Sequence, residues 1–131
     1  ESLRRVVGHR LIYKENLTQR EMADFYYLVD IFVLTSKFES FGRTAVEAMS
    51  RKCCVLGTNV GGIPEVVGDS DRVFGQNAEY FADYIERLIK DRLLLEKKKT
   101  DSFMRFVDNF NSEVVIMKHY DLYRRLLKER R

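Results

Sequence analysis

The chain has 131 residues, 45% hydrophobic and 33% charged, with a formal net charge of +3. That is the balance of one small globular domain or part of one, too mildly basic to indicate nucleic acid. No apolar run approaches the ~18 residues that a membrane-spanning helix needs, and no secretory leader is visible. Cys53 and Cys54 are adjacent, and neighbours on a strand point to opposite faces. They therefore read as small, reduced core residues of a cytoplasmic protein and not as a disulfide. His9 and His119 lie far from both, so no metal set is expected.

In chain order, Glu1 to Gly8 is an uninformative lead-in, and Arg10-Leu-Ile-Tyr-Lys14 reads as a short strand. Thr18 and Glu21 have capping-box spacing, and Met22, Phe25, Tyr26 and Val29 then recur at helical spacing. Ile31 to Thr35 is wholly apolar and β-branched or aromatic, the pattern of a strand buried on both faces. A turn over residues 38–44 leads into a helix to about Arg51, and a third strand covers Cys53 to Gly57. Gly61 and Gly62 make a flexible turn, and Pro64 suits the first turn of a short helix. Arg72-Val-Phe74 reads as a weaker fourth strand. From about residue 77 the chain is helical. Asn77 caps a helix whose face is Ala78, Phe81, Ala82, Ile85, Leu88 and Ile89. Asp91 opens a second, bearing Leu94, Phe103, Phe106, Val107 and Phe110. Ser112 caps a third, bearing Ile116, Tyr120, Tyr123 and Leu127. These stripes read as core packing or interface.

Strands alternating with helices imply an α/β, Rossmann-like parallel sheet of about three to four strands with flanking helices. In such sheets ligands bind beyond the carboxyl ends of the strands. The 38–44 turn and the Gly61-Gly62 loop follow consecutive strands, so both belong on that rim.

The turn carries the chemistry. Ser40 and Gly42 are small enough to let a ligand approach the backbone, and the helix after it offers free N–H groups and a positive dipole end to phosphate. Two carboxylates, Glu39 and Glu47, frame it. Glu47 stands among Ala45, Val46, Ala48 and Met49, so it needs a hydrogen-bonding partner or a wet cleft. Spacing alone leaves two readings open. Either Glu47 holds the vicinal hydroxyls of a ribose, or it caps a loop while Glu39 is simply solvated.

The run Phe38-Glu-Ser-Phe-Gly-Arg-Thr-Ala-Val-Glu-Ala-Met49 resembles the Glu-x7-Glu signature of the group 1 retaining glycosyltransferases of the GT-B fold. Asp30-Ile-Phe-Val-Leu-Thr-Ser36 resembles the strand that family carries before the motif. Cys54-Val-Leu-Gly-Thr58 resembles the next strand, and Gly61-Gly-Ile-Pro-Glu-Val-Val67 the glycine-rich loop after it. The resemblance covers residues 10 to 127. It implies a single truncated C-terminal domain, residues 1–131, that binds a UDP- or GDP-linked sugar. By motif position, Glu47 would hold the donor's ribose and Glu39 would face the donor sugar as the catalytic carboxylate. Phe41, Gly42, Arg43 and Thr44 would bind the diphosphate or sugar, and Gly61 and Gly62 would complete the cleft. No metal or other cofactor is implied, and the anomeric configuration would be retained. The acceptor would be a glycan or a lipid-linked glycan, presented by an N-terminal domain that this chain lacks. The chain alone is expected to be inactive.

The sequence departs from the family pattern at Ser40 and Lys52, where glycine is usual, and at Cys54, where proline is usual. Lys52 suits a left-handed helix exit poorly, which predicts a differently built exit. The segment Asp69 to Gln76 is also shorter and poorer in glycine than the pattern. The competing readings are a nucleotide-sugar epimerase on the same fold and a non-catalytic α/β interaction or regulatory module. Lys97-Lys-Lys99 and Arg124, Arg125, Lys128, Arg130 and Arg131 read as solvated helix faces, with peripheral contact to anionic lipid as the alternative.

Overall fold

In the computed structural model, which describes residues 5, 8–69, 72–75 and 77–129, the strand Cys54–Thr58 (β2) is buried at every residue and forms the middle of a parallel sheet. Ile31–Leu34 (β1) pairs with it from Ile31 opposite Cys54 to Leu34 opposite Gly57. Val73–Phe74 (β3) pairs on its other side, opposite Gly57 and Thr58. Parallel neighbours need crossovers. The chain supplies them as Arg43–Ser50 (α2) and Ile63–Val67 (α3), after Gln19–Tyr27 (α1) has led into β1. Ala78–Lys90 (α4), Arg92–Asn109 (α5) and Ser112–Glu129 (α6) follow.

The alternation of β2 divides the core into two faces. Cys53 and Val55 pack with Tyr26, Ala45, Ala48, Met49, Ile63, Val66 and Val67, while Cys54 and Leu56 pack with Phe81, Leu88 and Leu95. The adjacent thiols therefore do point to opposite sides, and both are free and buried. Arg72, only 1% exposed, lies under α5. Its guanidinium donates to Asp69 Oδ2 at 3.0 Å, to Ser102 Oγ and to the Val67 carbonyl. Lys98 donates to the same Asp69 carboxylate at 2.8 Å. A buried cation is tolerated because every donor face finds an oxygen.

Local signals are obeyed closely. The Thr18–Glu21 capping box is complete in both directions, Pro64 stands in the first turn of α3, and Asn77 and Asp91 cap α4 and α5. The cap of α6 is Asn111, whose Oδ1 accepts from Val114 N at 2.9 Å, one residue before the expected Ser112.

Four expectations are corrected. Arg10 to Lys14 is no strand. A 3-10 turn, Gly8–Arg10, gives way to irregular backbone in which Ile12 and Tyr13 are exposed, because none of the described strands offers it a ladder. β1 is half-buried throughout, because among the described strands it has a partner on one side alone. On α4 the covered face is Phe81, Tyr84, Ile85 and Leu88, and Ala78, Ala82 and Ile89 face out. The apolar residues of α6 are not core. None is buried, and Ile116, Tyr120, Tyr123 and Leu127 are all more than half exposed.

The exit of α2 also differs from expectation. Lys52 adopts φ +61°. Its N–H donates to the Met49 carbonyl at 3.0 Å, and Cys53 N donates to the Ala48 carbonyl at 3.1 Å. That is the double bond pattern of a Schellman motif with lysine in the usual glycine place. The Lys52 ammonium lies 5.1 Å from the Phe103 ring centroid. Among the described residues no helix is long and apolar enough to cross a membrane. The lead-in at residues 1–4, 6 and 7, the segment members Ser70, Asp71 and Gln76, and the basic residues Arg130 and Arg131 lie outside the described residues.

Candidate functional site

β1 ends at Leu34, and the chain loops to Gly42, which is buried at φ +93° and begins α2. No side chain caps α2. Helices α1, α4, α5 and α6, by contrast, each begin with a side-chain oxygen accepting a first-turn N–H. Helix α3 also lacks a side-chain cap, but Ile63 N donates to the Val60 carbonyl and Pro64 has no N–H to satisfy. The start of α2 is thus the open one, with the Arg43 and Thr44 N–H groups left without a helical acceptor and the dipole's positive end beside them.

The two rim loops are in backbone contact. Gly62 N donates to the Glu39 carbonyl at 3.2 Å. A Cβ on Gly61, at φ +52°, would stand 1.6 Å from that carbonyl oxygen, and one on Gly62 would stand 2.6 Å from the Ser40 carbonyl oxygen. Only glycine lets the loops lie this close. The half-buried Glu39 turns its carboxylate back on its own turn, accepting from Phe41 N at 3.4 Å. The Phe41 ring meets Phe110, from just beyond α5, edge-on at 5.9 Å. Thr44 is exposed.

Glu47 lies one turn into α2. Its carboxylate accepts from Arg43 Nε at 2.9 Å, and the two side chains are 39% and 76% exposed. Glu47 and Arg43 line a cavity of about 330 Å³ between α1 and α2, together with Leu17, Gln19, Tyr26, Ser50 and Arg51. The expectation that Glu47 needs a partner or a wet cleft is met in both ways. The cavity brings together Arg43 and Glu47. The loop contact brings together Glu39, Phe41, Gly42, Gly61 and Gly62, and the first turn of α2 joins the two groups.

Tyr26, like Met22, lines the cavity although sequence reasoning placed it only in a core stripe. Its ring packs edge-on against Phe32 at 5.6 Å. Burial first, and then the negative charge of Glu47, push its phenol up to about 12. The visible signal was a hydroxyl on an otherwise apolar stripe. The Cys53 and Cys54 thiols are pushed up to about 11, chiefly by burial. They are core groups, far from the thiolate form a nucleophile needs.

The family described as Glycosyl transferases group 1 matches residues 2–103. The chain is 29% identical over 114 residues to the N-acetyl-alpha-D-glucosaminyl L-malate synthase of Bacillus anthracis, covering 85% of this chain and 30% of that protein. It is 35% identical over 88 residues to a D-inositol 3-phosphate glycosyltransferase of Streptomyces bingchenggensis, covering 65% and 19%. It is 30% identical over 108 residues to the capsular polysaccharide biosynthesis glycosyltransferase CapM of Staphylococcus aureus, covering 80% and 28%. The chain thus spans less than a third of the length of these relatives. Among solved structures, sucrose-phosphate synthase from Thermosynechococcus elongatus superposes with a TM-score of 0.82 at 25% identity, over 98% of this chain and 33% of that one. A glycosyltransferase from Rickettsia africae shares the fold, with a TM-score of 0.76 at 24% identity over 97% of this chain and 36% of that one.

Proposed function

The chain belongs to the group 1 glycosyl transferases, and from that premise we propose that it is the nucleotide-sugar-binding part of a retaining glycosyltransferase. The observation that carries this reading is the pairing of an uncapped α2 N-terminus with a carboxylate one turn further on, at the wall of a cavity. Four residues of helix rise about 6 Å, the scale of the step from the diphosphate to the ribose hydroxyls of a nucleotide. The backbone N–H groups of residues 42–44, joined by that of Phe41 once it leaves the Glu39 carboxylate, take the diphosphate, and Glu47 accepts hydrogen bonds from the ribose. Glu39 faces the donor sugar.

As the bond from sugar to diphosphate breaks, negative charge grows on the leaving phosphate. The fixed N–H groups and the helix dipole stabilise that charge without reorganising. Arg43, in the first turn of α2 and largely exposed, is a mobile cation beside them. It leaves Glu47 cheaply, because an exposed i,i+4 pair is worth only a few tenths of a kcal/mol. These groups stand in for a metal cation. The donor is a UDP- or GDP-sugar, and the acceptor, a glycan or lipid-linked glycan, is held by a domain outside this chain. The buried free thiols suit a reducing, cytoplasmic compartment.

The test is an NMR titration of this chain with UDP, GDP and ADP, following the Gly42, Gly61 and Gly62 amides. One nucleotide is expected to shift all three, and Glu47→Gln is expected to weaken that binding about tenfold or more, the loss of a charge-assisted hydrogen bond. No shift with any of the three at millimolar concentration overturns the reading. So does a Glu47→Gln chain that binds like the unaltered one. Sugar transfer by this chain, at a rate clearly above donor hydrolysis, would overturn the expectation that it is inactive alone.

A further inference from the structure

The cavity between α1 and α2 holds one polar group that neither the fold nor the family motif accounts for. Arg43 is paired with Glu47. Ser50 Oγ donates to the Glu47 carbonyl at 2.6 Å, and Arg51 donates to the Tyr27 hydroxyl at 2.7 Å. Gln19 is exposed to water. Tyr26 is different. The residue is 97% buried, its ring is fixed against Phe32, and it lines the cavity beside Glu47. Its hydroxyl has no hydrogen-bond partner among the described residues. Since no buried side-chain polar atom among the described residues is left unpartnered, that hydroxyl must reach the open space of the cavity.

Packing does not require it, because phenylalanine would fill the same place against Phe32. We infer that Tyr26 is a ligand-binding residue, its hydroxyl holding one ribose hydroxyl of the nucleoside that Glu47 also holds. The chemistry is matched. A vicinal diol presents hydroxyls that both donate and accept. An ionised Glu47 can only accept, and the Tyr26 phenol supplies a donor from the same wall. Burial and the Glu47 charge keep the phenol protonated, so it remains a donor throughout the working pH range. A group held in place by its own packing gives up little freedom on binding.

This inference rests on the nucleotide-binding reading above, and the test separates the two. The Tyr26→Phe and Glu47→Gln chains are compared with the unaltered chain for binding the preferred nucleotide and its 2′-deoxy and 3′-deoxy forms. Urea unfolding is followed in parallel. Tyr26→Phe is expected to weaken the ribonucleotide about threefold to tenfold, the effect of one neutral hydrogen bond. The unfolding midpoint should not fall, and the loss should vanish for one of the two deoxy forms. A Tyr26→Phe chain that binds like the unaltered one, while Glu47→Gln does not, overturns the inference and leaves the nucleotide reading standing. A loss of equal size for all three ligands, or one accompanied by a lower unfolding midpoint, assigns the hydroxyl to the fold and also overturns it. Failure of the unaltered chain to bind any nucleotide overturns both.

Discussion

Lys52 holds a backbone conformation that costs a side chain with a Cβ roughly 1–2 kcal/mol. Its N–H nevertheless completes the helix exit, and its ammonium recovers part of the cost over the Phe103 ring, where an exposed contact of this kind is worth about 0.5–1 kcal/mol. Lys52→Ala keeps the strain and loses the ring, so it is expected to destabilise the chain by about 0.5–1 kcal/mol. Lys52→Gly loses both the ring and the strain, and should lie about 1 kcal/mol above the alanine variant in urea unfolding. Equal stability of the two variants would mean that the left-handed conformation carries no strain. Glu47 calls for the same arithmetic. Its pair with Arg43 is largely solvated, so Glu47→Gln is expected to change stability by no more than about 0.5 kcal/mol. A loss of nucleotide binding in that variant then reports on the site, and a fall of several kcal/mol would show instead that the carboxylate holds the helix.

At the scale of elements, the two rim loops act as one unit because Gly61 and Gly62 lie against the backbone of Glu39 and Ser40. Gly61→Ala drives a methyl group into the Glu39 carbonyl at a left-handed backbone angle. It is expected to cost about 2–4 kcal/mol and to move the Gly42 amide resonance, since Gly42 follows the displaced turn. A variant within experimental error of the unaltered chain would mean that the loops are not in contact in solution. The sequence announced these loops because glycine, proline and helix-capping residues act over three or four positions. The same reach made Thr18, Asn77 and Asp91 readable as caps; it faltered where Asn111 and Ser112 offer similar oxygens side by side, and at Lys52, which takes the left-handed place despite its Cβ. What failed to show was non-local. Arg10 to Lys14 has strand composition but no ladder to join. β1 has the composition of a central strand but an edge position among the described strands. Ile89 extends the apolar stripe of α4 onto a face that the described residues leave exposed. Around the cavity, the apolar neighbours of Glu47 announced a carboxylate in need of a partner, which Arg43 supplies, whereas Tyr26 was hidden in a stripe whose spacing says only which way a ring points.

At the scale of the whole molecule, stability should be graded from the middle of the sheet outward. β2 is buried at every residue and takes part in both core faces, so its amides can exchange only when the core opens. α6 buries no residue, although it is as long as α5, and most helical stability in proteins comes from packing of an apolar face and not from propensity. Its amides, with those of residues 11–17, are expected to exchange by local fraying at free energies close to zero, while β2 reports the global value. Deleting residues 112–131 should therefore change the urea midpoint of the remaining chain by the equivalent of about 1 kcal/mol or less, and should leave the protection of β2 intact. Strong protection of α6 in dilute solution would contradict this directly, because the helix could be held only by a surface covering Ile116, Tyr120, Tyr123 and Leu127. Sedimentation at several concentrations would then show whether a second copy of the chain provides that surface.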